Sequence, residues 1–264
     1  MPKIEFNNIK FEEKENIIIA HFLKHYTFEI TKEELEKIDS YKIGSDYIEF
    51  LNISEDKANK KINFIIEKGF TNLTNKITKN KTIYIHRFSE IPLIGTTAFG
   101  IVDKGNNIIE IKPLTGCNID CIFCSVDEGI SSKKKLDFLI EKEYLVQEVK
   151  KLLDFKDNHE MEIYINPNGE PLLYQPLISL IDDLNHIKDK QNKKYIKKIH
   201  LITNGTILSE ELINKLSNAG LTTISISLSA IKNTKIMGPQ CNLKHVQNMI
   251  EYATKKLKII ITPI

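Results

Sequence analysis

The spacing of apolar residues changes character partway along the chain. Up to about residue 90 they fall in short clusters of mixed period, and beyond about residue 108 they alternate between compact runs and helical faces. In the first stretch Thr31-Lys32-Glu33-Glu34 reads as a capping box opening a helix with Leu35 and Ile38 on its apolar side. Ser54, with Glu55 and Asp56 in the following turn, predicts a second helix. Its stripe is Ala58, Ile62, Ile65 and Ile66, and Gly69 is expected to end it. Ile17 to Ile19, Tyr47 to Leu51 and Ile83 to Phe88 are rich in β-branched or aromatic residues and read as strands. A small α+β domain is therefore expected over residues 1–95, closing in the Pro92 to Gly95 connection.

From residue 96 to 264 the pattern becomes regular. Phe99 to Val102 and Ile108 to Ile111 flank a turn containing Gly105, Asn106 and Asn107, which predicts a hairpin. A helix is expected through Leu136, Ile140, Leu145, Val149, Leu152 and Leu153, then a strand at Met161 to Ile165. Leu173, Leu177, Leu180, Ile181, Leu184 and Ile187 share a second helical face, followed by a strand at Ile199 to Thr203. Ser209 caps a third helix that stops at Gly220, and Thr223 to Leu228 is the next strand. A fourth helix through Leu243, Val246, Met249, Ile250 and Ala253 leads to a strand at Leu257 to Thr262. Counted from Ile108, five strands alternate with four helices, the pattern of a parallel sheet with helical cover. Strands this apolar are expected to be buried on both faces.

Apolar residues make up 41% of the 264 positions, enough for a sizeable core. Lys and Arg number 37 against 35 Asp and Glu, so a net charge of +2 supplies no global field for nucleic acid. The runs Lys133-Lys134-Lys135 and Lys193 to Lys198 read as solvated surface, which leaves nucleic-acid binding open. No leader-like start and no membrane-length apolar run is visible, so a cytoplasmic, membrane-free protein is expected. His21, His25 and His86 stand alone and read as surface or core positions.

Three of the four cysteines fall in one short stretch, Cys117, Cys121 and Cys124, directly after a buried strand. Three thiolates at C-x3-C-x2-C spacing can converge on an iron–sulfur cube and leave one iron open. Zinc would want a fourth ligand nearby, whereas His159 and Cys241 are remote in sequence, and ordinary buried thiols are the remaining reading. Thiolate ligands fit a reducing compartment. Asp127 and Glu128 follow the last cysteine and read as loop carboxylates or as groups facing substrate.

With Phe123 before its last cysteine, the motif resembles the signature of the radical S-adenosylmethionine superfamily. Further likenesses fall in order: Asn168-Gly169-Glu170-Pro171 is similar to the G-G-E-P motif, with Asn168 in place of the first glycine, and Thr203-Asn204-Gly205-Thr206 is similar to a T-N-G stretch. The resemblance implies a partial (β/α) barrel of about five βα units, truncated at the C-terminus relative to the usual six. It implies a 4Fe-4S cluster on Cys117, Cys121 and Cys124, completed by S-adenosylmethionine. It places Phe123 beside adenine, Gly169 and Glu170 near the amino group, and Asn204, Ser227 and Ser229 near ribose or carboxylate. The expected activity is reductive cleavage of S-adenosylmethionine to a 5'-deoxyadenosyl radical that abstracts hydrogen from RNA, protein or a small metabolite. A flavodoxin or ferredoxin would donate the electron. A catalytically inactive iron–sulfur or metal-binding remnant is the alternative. Within the superfamily the chain looks most like an uncharacterised archaeal-type group.

Overall fold

Five strands of the second half run parallel and lie side by side in chain order, and this simple progression is what positions the site. The computed structural model describes residues 2–228, 234–238 and 241–262. It divides into two units, Met1–Tyr84 with Lys135–Asp137, and Ile85–Lys134 with Phe138–Ile264.

The first unit contains β1 (Lys3–Glu5), β2 (Ile9–Glu13), β3 (Ile17–Phe22), β4 (Tyr26–Thr31), α1 (Lys32–Glu36), β5 (Tyr41–Ile43), β6 (Tyr47–Phe50), α2 (Glu55–Phe70), β7 (Thr74–Asn75) and β8 (Lys81–Ile85). β6 pairs antiparallel with β1 and β5, and β2, β3, β4, β7 and β8 follow one another as antiparallel neighbours. Alternation does the work: Ile18, Ala20 and Phe22 of β3 and Tyr26, Phe28 and Ile30 of β4 are buried. The expected capping box is present, with the Thr31 side chain accepting from Glu34 N and the Glu34 carboxylate accepting from Thr31 N. Gly69 does not end α2. It lies inside the helix, where a Cβ would collide with the Phe28 ring, so its role is close approach to β4.

Asp137, fully buried, belongs to this unit. It accepts from Asn75 Nδ2 at 2.8 Å, Thr78 Oγ1 at 2.6 Å and Asn80 Nδ2 at 3.1 Å.

The chain continues with β9 (Gly100–Asp103), β10 (Ile108–Lys112), β11 (Thr115–Gly116), β12 (Leu136–Ile140), α3 (Lys142–Lys156), β13 (Met161–Ile165), β14 (Asn168–Gly169), α4 (Leu177–Asn185), β15 (Ile196–Thr203), α5 (Glu210–Asn218), β16 (Thr223–Ser227), α6 (Leu243–Ala253) and β17 (Lys258–Thr262), all in the second unit except Leu136 and Asp137 of β12, which group with the first. The main sheet has the order β9-β10-β13-β15-β16-β17, with β9 antiparallel to β10 and all later neighbours parallel. Crossovers that always advance in one direction with one hand place all their helices on the same face. That face is aliphatic: Ile109 and Ile111, Ile163 and Ile165, Ile199 and Leu201, and Ile224 and Ile226 are sealed from solvent. The opposite face carries Glu110 and Lys112, Glu162 and Tyr164, His200, and Ser225 and Ser227. The strands are therefore two-faced, and only their helix-covered side is the expected apolar run.

Two helices begin later than their spacing predicts. Leu136 to Ile140 is a strand, because the Asp137 bonds, together with Phe138 N to Thr115 Oγ1 and Ile140 N to Pro113 O, hold it extended. The helix follows from Lys142. Pro171–Leu173 forms a short 3-10 turn, and α4 starts after Pro176.

Candidate functional site

At the carboxyl end of β10 the chain passes through Pro113 and Leu114 into the two residues of β11, which pair in parallel with β14 in the loop after β13. Thr115 lies opposite Asn168, and Gly116 opposite Gly169. Both glycines have positive φ, 92° and 147°, and a Cβ on Gly169 would stand 2.8 Å from Gly116 N and nearer still to its carbonyl oxygen. Only glycine fits there. Glu170 N then donates to Gly116 O at 3.0 Å, so the cysteine loop and the Asn168 loop leave the sheet as one tethered pair.

The cysteine loop is braced by its own backbone. Cys117 N donates to Glu128 O at 2.7 Å, and Cys124 N to Cys121 O at 3.0 Å. Ile119 is buried beneath it, and Asp120 Oδ1 accepts from Ser131 N at 2.8 Å. Asp127 and Glu128 build this loop: Asp127 Oδ2 accepts from Lys133 N, while Glu128 is buried and ion-paired with Lys134. Ile122 N bonds Ile236 O at 3.0 Å, and Cys121 Sγ lies 3.9 Å from Met237 O, so segment 236–237 closes over one side.

Cys117, Cys121 and Cys124 are all half-buried free thiols. Burial, and then the charge of Glu170, pushes the Cys117 thiol up to about 12. Burial, and then Cys124, pushes Cys121 up to about 11. Cys241, buried, adds to the field at Cys121. Among the described residues no three His, Cys, Asp or Glu side chains group closely enough to hold a metal ion. A cluster of four irons spreads its thiolates wider than a single ion does. Three thiols on one braced loop, with no carboxylate or imidazole among them, fit such a cluster better than a mononuclear centre.

Glu170 is 1% exposed and accepts three bonds: from Thr203 Oγ1 at 2.6 Å, Leu172 N at 3.0 Å and Asn204 N at 2.9 Å. Burial raises its carboxyl to about 7. Its oxygens are spent inside the protein, binding the loop after β13 to the end of β15.

Asn204, one residue past β15, points its amide at the cysteine loop. Nδ2 lies 3.6 Å from Cys117 Sγ and 3.0 Å from Asn118 Oδ1. Oδ1 accepts from Thr206 N at 2.9 Å and Thr206 Oγ1 at 2.6 Å, and Asn118 Nδ2 donates to Thr206 Oγ1 at 2.9 Å. Hydrogen bonds thus link the loops of Cys117, Glu170 and Asn204, three of the residues singled out by sequence, and Gly169 lies opposite Gly116 in the β11–β14 pair. Phe123 and Ser227 are half-buried at the same end of the sheet, and Ser229 lies outside the described residues.

Sequence reasoning did not select Asn118, Thr206, Thr203 or Lys112. The buried Lys112 at the end of β10 donates to Asn166 O at 3.0 Å and Asn168 Oδ1 at 2.9 Å. Asn166 Nδ2 in turn donates to Glu110 Oε1 at 2.5 Å. A lysine closing an apolar run was the visible signal. The residue in place of the first glycine of the motif is therefore an acceptor for a buried cation.

The sequence profile of the Radical SAM superfamily matches residues 111–264. An uncharacterised protein of Methanocaldococcus jannaschii is 39% identical over 262 residues, covering 95% of this chain and 58% of that protein. A GTP 3',8-cyclase of Clostridium botulinum is 28% identical over 159 residues, covering 58% of this chain and 46% of the cyclase. The chain thus spans about half the length of these relatives. A solved mutant of spore photoproduct lyase superposes with a TM-score of 0.51 at 11% identity, over 71% of this chain and 52% of that one, a likeness of fold alone. No helix among the described residues is long and apolar enough to cross a membrane.

Proposed function

This chain belongs to the radical SAM superfamily, and from that premise we propose that Cys117, Cys121 and Cys124 hold a 4Fe-4S cluster at which S-adenosylmethionine is cleaved. When bound, cluster and S-adenosylmethionine supply one-electron scission of the sulfonium and a 5'-deoxyadenosyl radical able to abstract hydrogen from a substrate. The observation that supports this most is the hydrogen-bonded set joining the three loops of Cys117, Glu170 and Asn204 at one end of the parallel sheet. Ligands of parallel βα folds collect at that end.

The chain's own residues divide the work. The Gly116–Gly169 pair brings two backbones together without side chains, leaving the edge of the Asn168 loop to receive an amino group. Glu170 is a positioning residue, since its carboxylate is enclosed and both of its oxygens already accept hydrogen bonds within the protein. Phe123 on the cysteine loop and Ser227 at the end of β16 are assigned to the nucleoside, and Ser229, expected there from sequence, lies outside the described residues. The sheet face opposite the helices, with Glu110, Tyr164, His200 and Ser225, suits a polar, hydrogen-bonding substrate better than a hydrocarbon. The electron comes from a flavodoxin- or ferredoxin-type donor, and the reducing cytoplasm is the compartment the thiolates require.

The test is anaerobic reconstitution with iron and sulfide, then S-adenosylmethionine and dithionite, assaying 5'-deoxyadenosine in the native chain and in Cys121→Ala. Deoxyadenosine from the native chain alone is the expected result. A native chain that takes up no cluster overturns the reading.

A further inference from the structure

We infer that Asn204 tunes the reduction potential of the cluster by donating an N–H···S hydrogen bond to the sulfur of Cys117. The inference rests on the reading that Cys117 is a cluster ligand, and it gives Asn204 a task different from a contact to ribose.

The direction of the amide is settled by its neighbours. A backbone N–H can only donate, so the 2.9 Å bond from Thr206 N identifies the near atom of Asn204 as its oxygen. The other end, the NH2 group, then faces Cys117 Sγ at 3.6 Å and Asn118 Oδ1 at 3.0 Å. Asn118 repeats the logic, because its Nδ2 donates to Thr206 Oγ1, whose hydroxyl donates to Asn204 Oδ1. The three side chains close a ring with one sense: Asn204 to Asn118, Asn118 to Thr206, Thr206 to Asn204. Turning the Asn204 amide over would set donors against donors at Thr206 N and an acceptor against Asn118 Oδ1. The backbone beneath it is pinned as well, since Asn204 N donates to the buried Glu170 and Thr203 Oγ1 donates to the same carboxylate.

The sulfur that receives this N–H changes character when it becomes a ligand. As a thiol, Cys117 can donate to Asn118 Oδ1 at 3.9 Å. As an iron-bound thiolate it has no proton, and the bond from Asn204 is the one that survives. Negative charge on the ligand sulfurs rises when a cluster gains an electron, and hydrogen bonds to those sulfurs are a lever on the potential. A donor already aimed at the sulfur favours the reduced form and raises the potential. Asn204 is 8% exposed, and low local dielectric strengthens the effect.

The experiment measures midpoint potentials of the anaerobically reconstituted full chain by EPR-monitored titration without S-adenosylmethionine. The samples are the native protein, Asn204→Asp, Asn204→Ser and Thr206→Val. Asn204→Asp keeps the shape, removes the donor and adds a negative oxygen, so it should show the largest fall in potential. Asn204→Ser should show a smaller fall. Thr206→Val leaves Asn204 in place but removes the hydroxyl that helps orient it, and should show the smallest. Iron content and visible absorbance establish that each sample holds a full cluster. If Asn204→Asp does not load, the other two variants decide the question. Variants that hold full clusters at the native potential overturn the inference and leave the enzyme reading intact. A native chain without a 4Fe-4S signal fails that reading instead.

Discussion

Two carboxyl groups of this chain, one in each unit, are sealed from solvent with three hydrogen-bond donors apiece, and they differ in where the donors come from. Asp137 draws all three from side chains of one short turn, Asn75, Thr78 and Asn80. Glu170 draws two from backbone N–H groups, Leu172 and Asn204, and one from Thr203, so it spans the loops after two strands. A carboxylate satisfied by local side chains ties down a turn. A carboxylate satisfied by the backbone of two loops sets their relative register, and here one of those loops presents Asn204 to Cys117. Glu170 also bears on the thiol directly, its charge being second only to burial in pushing Cys117 up. The same chemical device is structural in the first unit and coupled to the site in the second.

The comparison breaks most visibly at Asp137. Asp137→Ala leaves three donors without an acceptor in a site with no exposure, and should cost about 4 kcal/mol, at the upper end for loss of a buried hydrogen-bonded charge. Hydrogen exchange at residues 75–82 should accelerate accordingly. Protection that stays within tenfold of native would mean that Asp137 is not what holds this turn.

Glu170 should announce itself through pH. Its folded carboxyl titrates at about 7, above the ordinary 4.5, because burial disfavours the charge. A raised folded value means that the stability it supports is fully present below pH 4.5, falls as pH rises toward 7 and is flat above. From pH 4 to 8 the native chain should lose on the order of 3 kcal/mol relative to Glu170→Gln, which cannot ionise. Denaturant midpoints of the two chains across that range measure the difference. Parallel curves would show that the three donors already compensate the charge in full.

How legible these features were in the sequence follows from how local they are. The five parallel strands could be read because each run carries its own apolar signal, as Met161–Ile165 and Thr223–Ser227 do. β12 was hidden because Leu136 and Ile140 stand one helical turn apart, while what holds the segment extended is Asp137 bonding to residues some sixty positions earlier. The three cysteines stand out in the sequence by their spacing, and the structure sets them as half-buried thiols on one loop. Glu170 was visible as an acid in a motif suited to receive an ammonium group, but nothing local reveals that Thr203 and Asn204 fold over it. Asn118 and Thr206 escaped for the same reason: their ring with Asn204 joins positions more than eighty residues apart.

A buried cation extends the comparison and gives its smallest expected effect. Lys112 is 7% exposed, and beside Glu110 at 3.5 Å its ammonium relies on two neutral acceptors, Asn166 O and Asn168 Oδ1. Asn168 does not have the positive φ that would require glycine, and its pairing with Thr115 is a backbone matter, so the loop path does not depend on its side chain. What the side chain adds is one charge-assisted bond. Asn168→Ala should therefore cost about 1 kcal/mol, and Asn168→Gly about 0.5 kcal/mol more, through the greater freedom of the unfolded chain. The order native, Ala, Gly in denaturant midpoint would show that this loop uses asparagine to anchor a lysine. A glycine variant as stable as native would show that the β11–β14 pair alone carries the loop and that Lys112 finds another acceptor within reach.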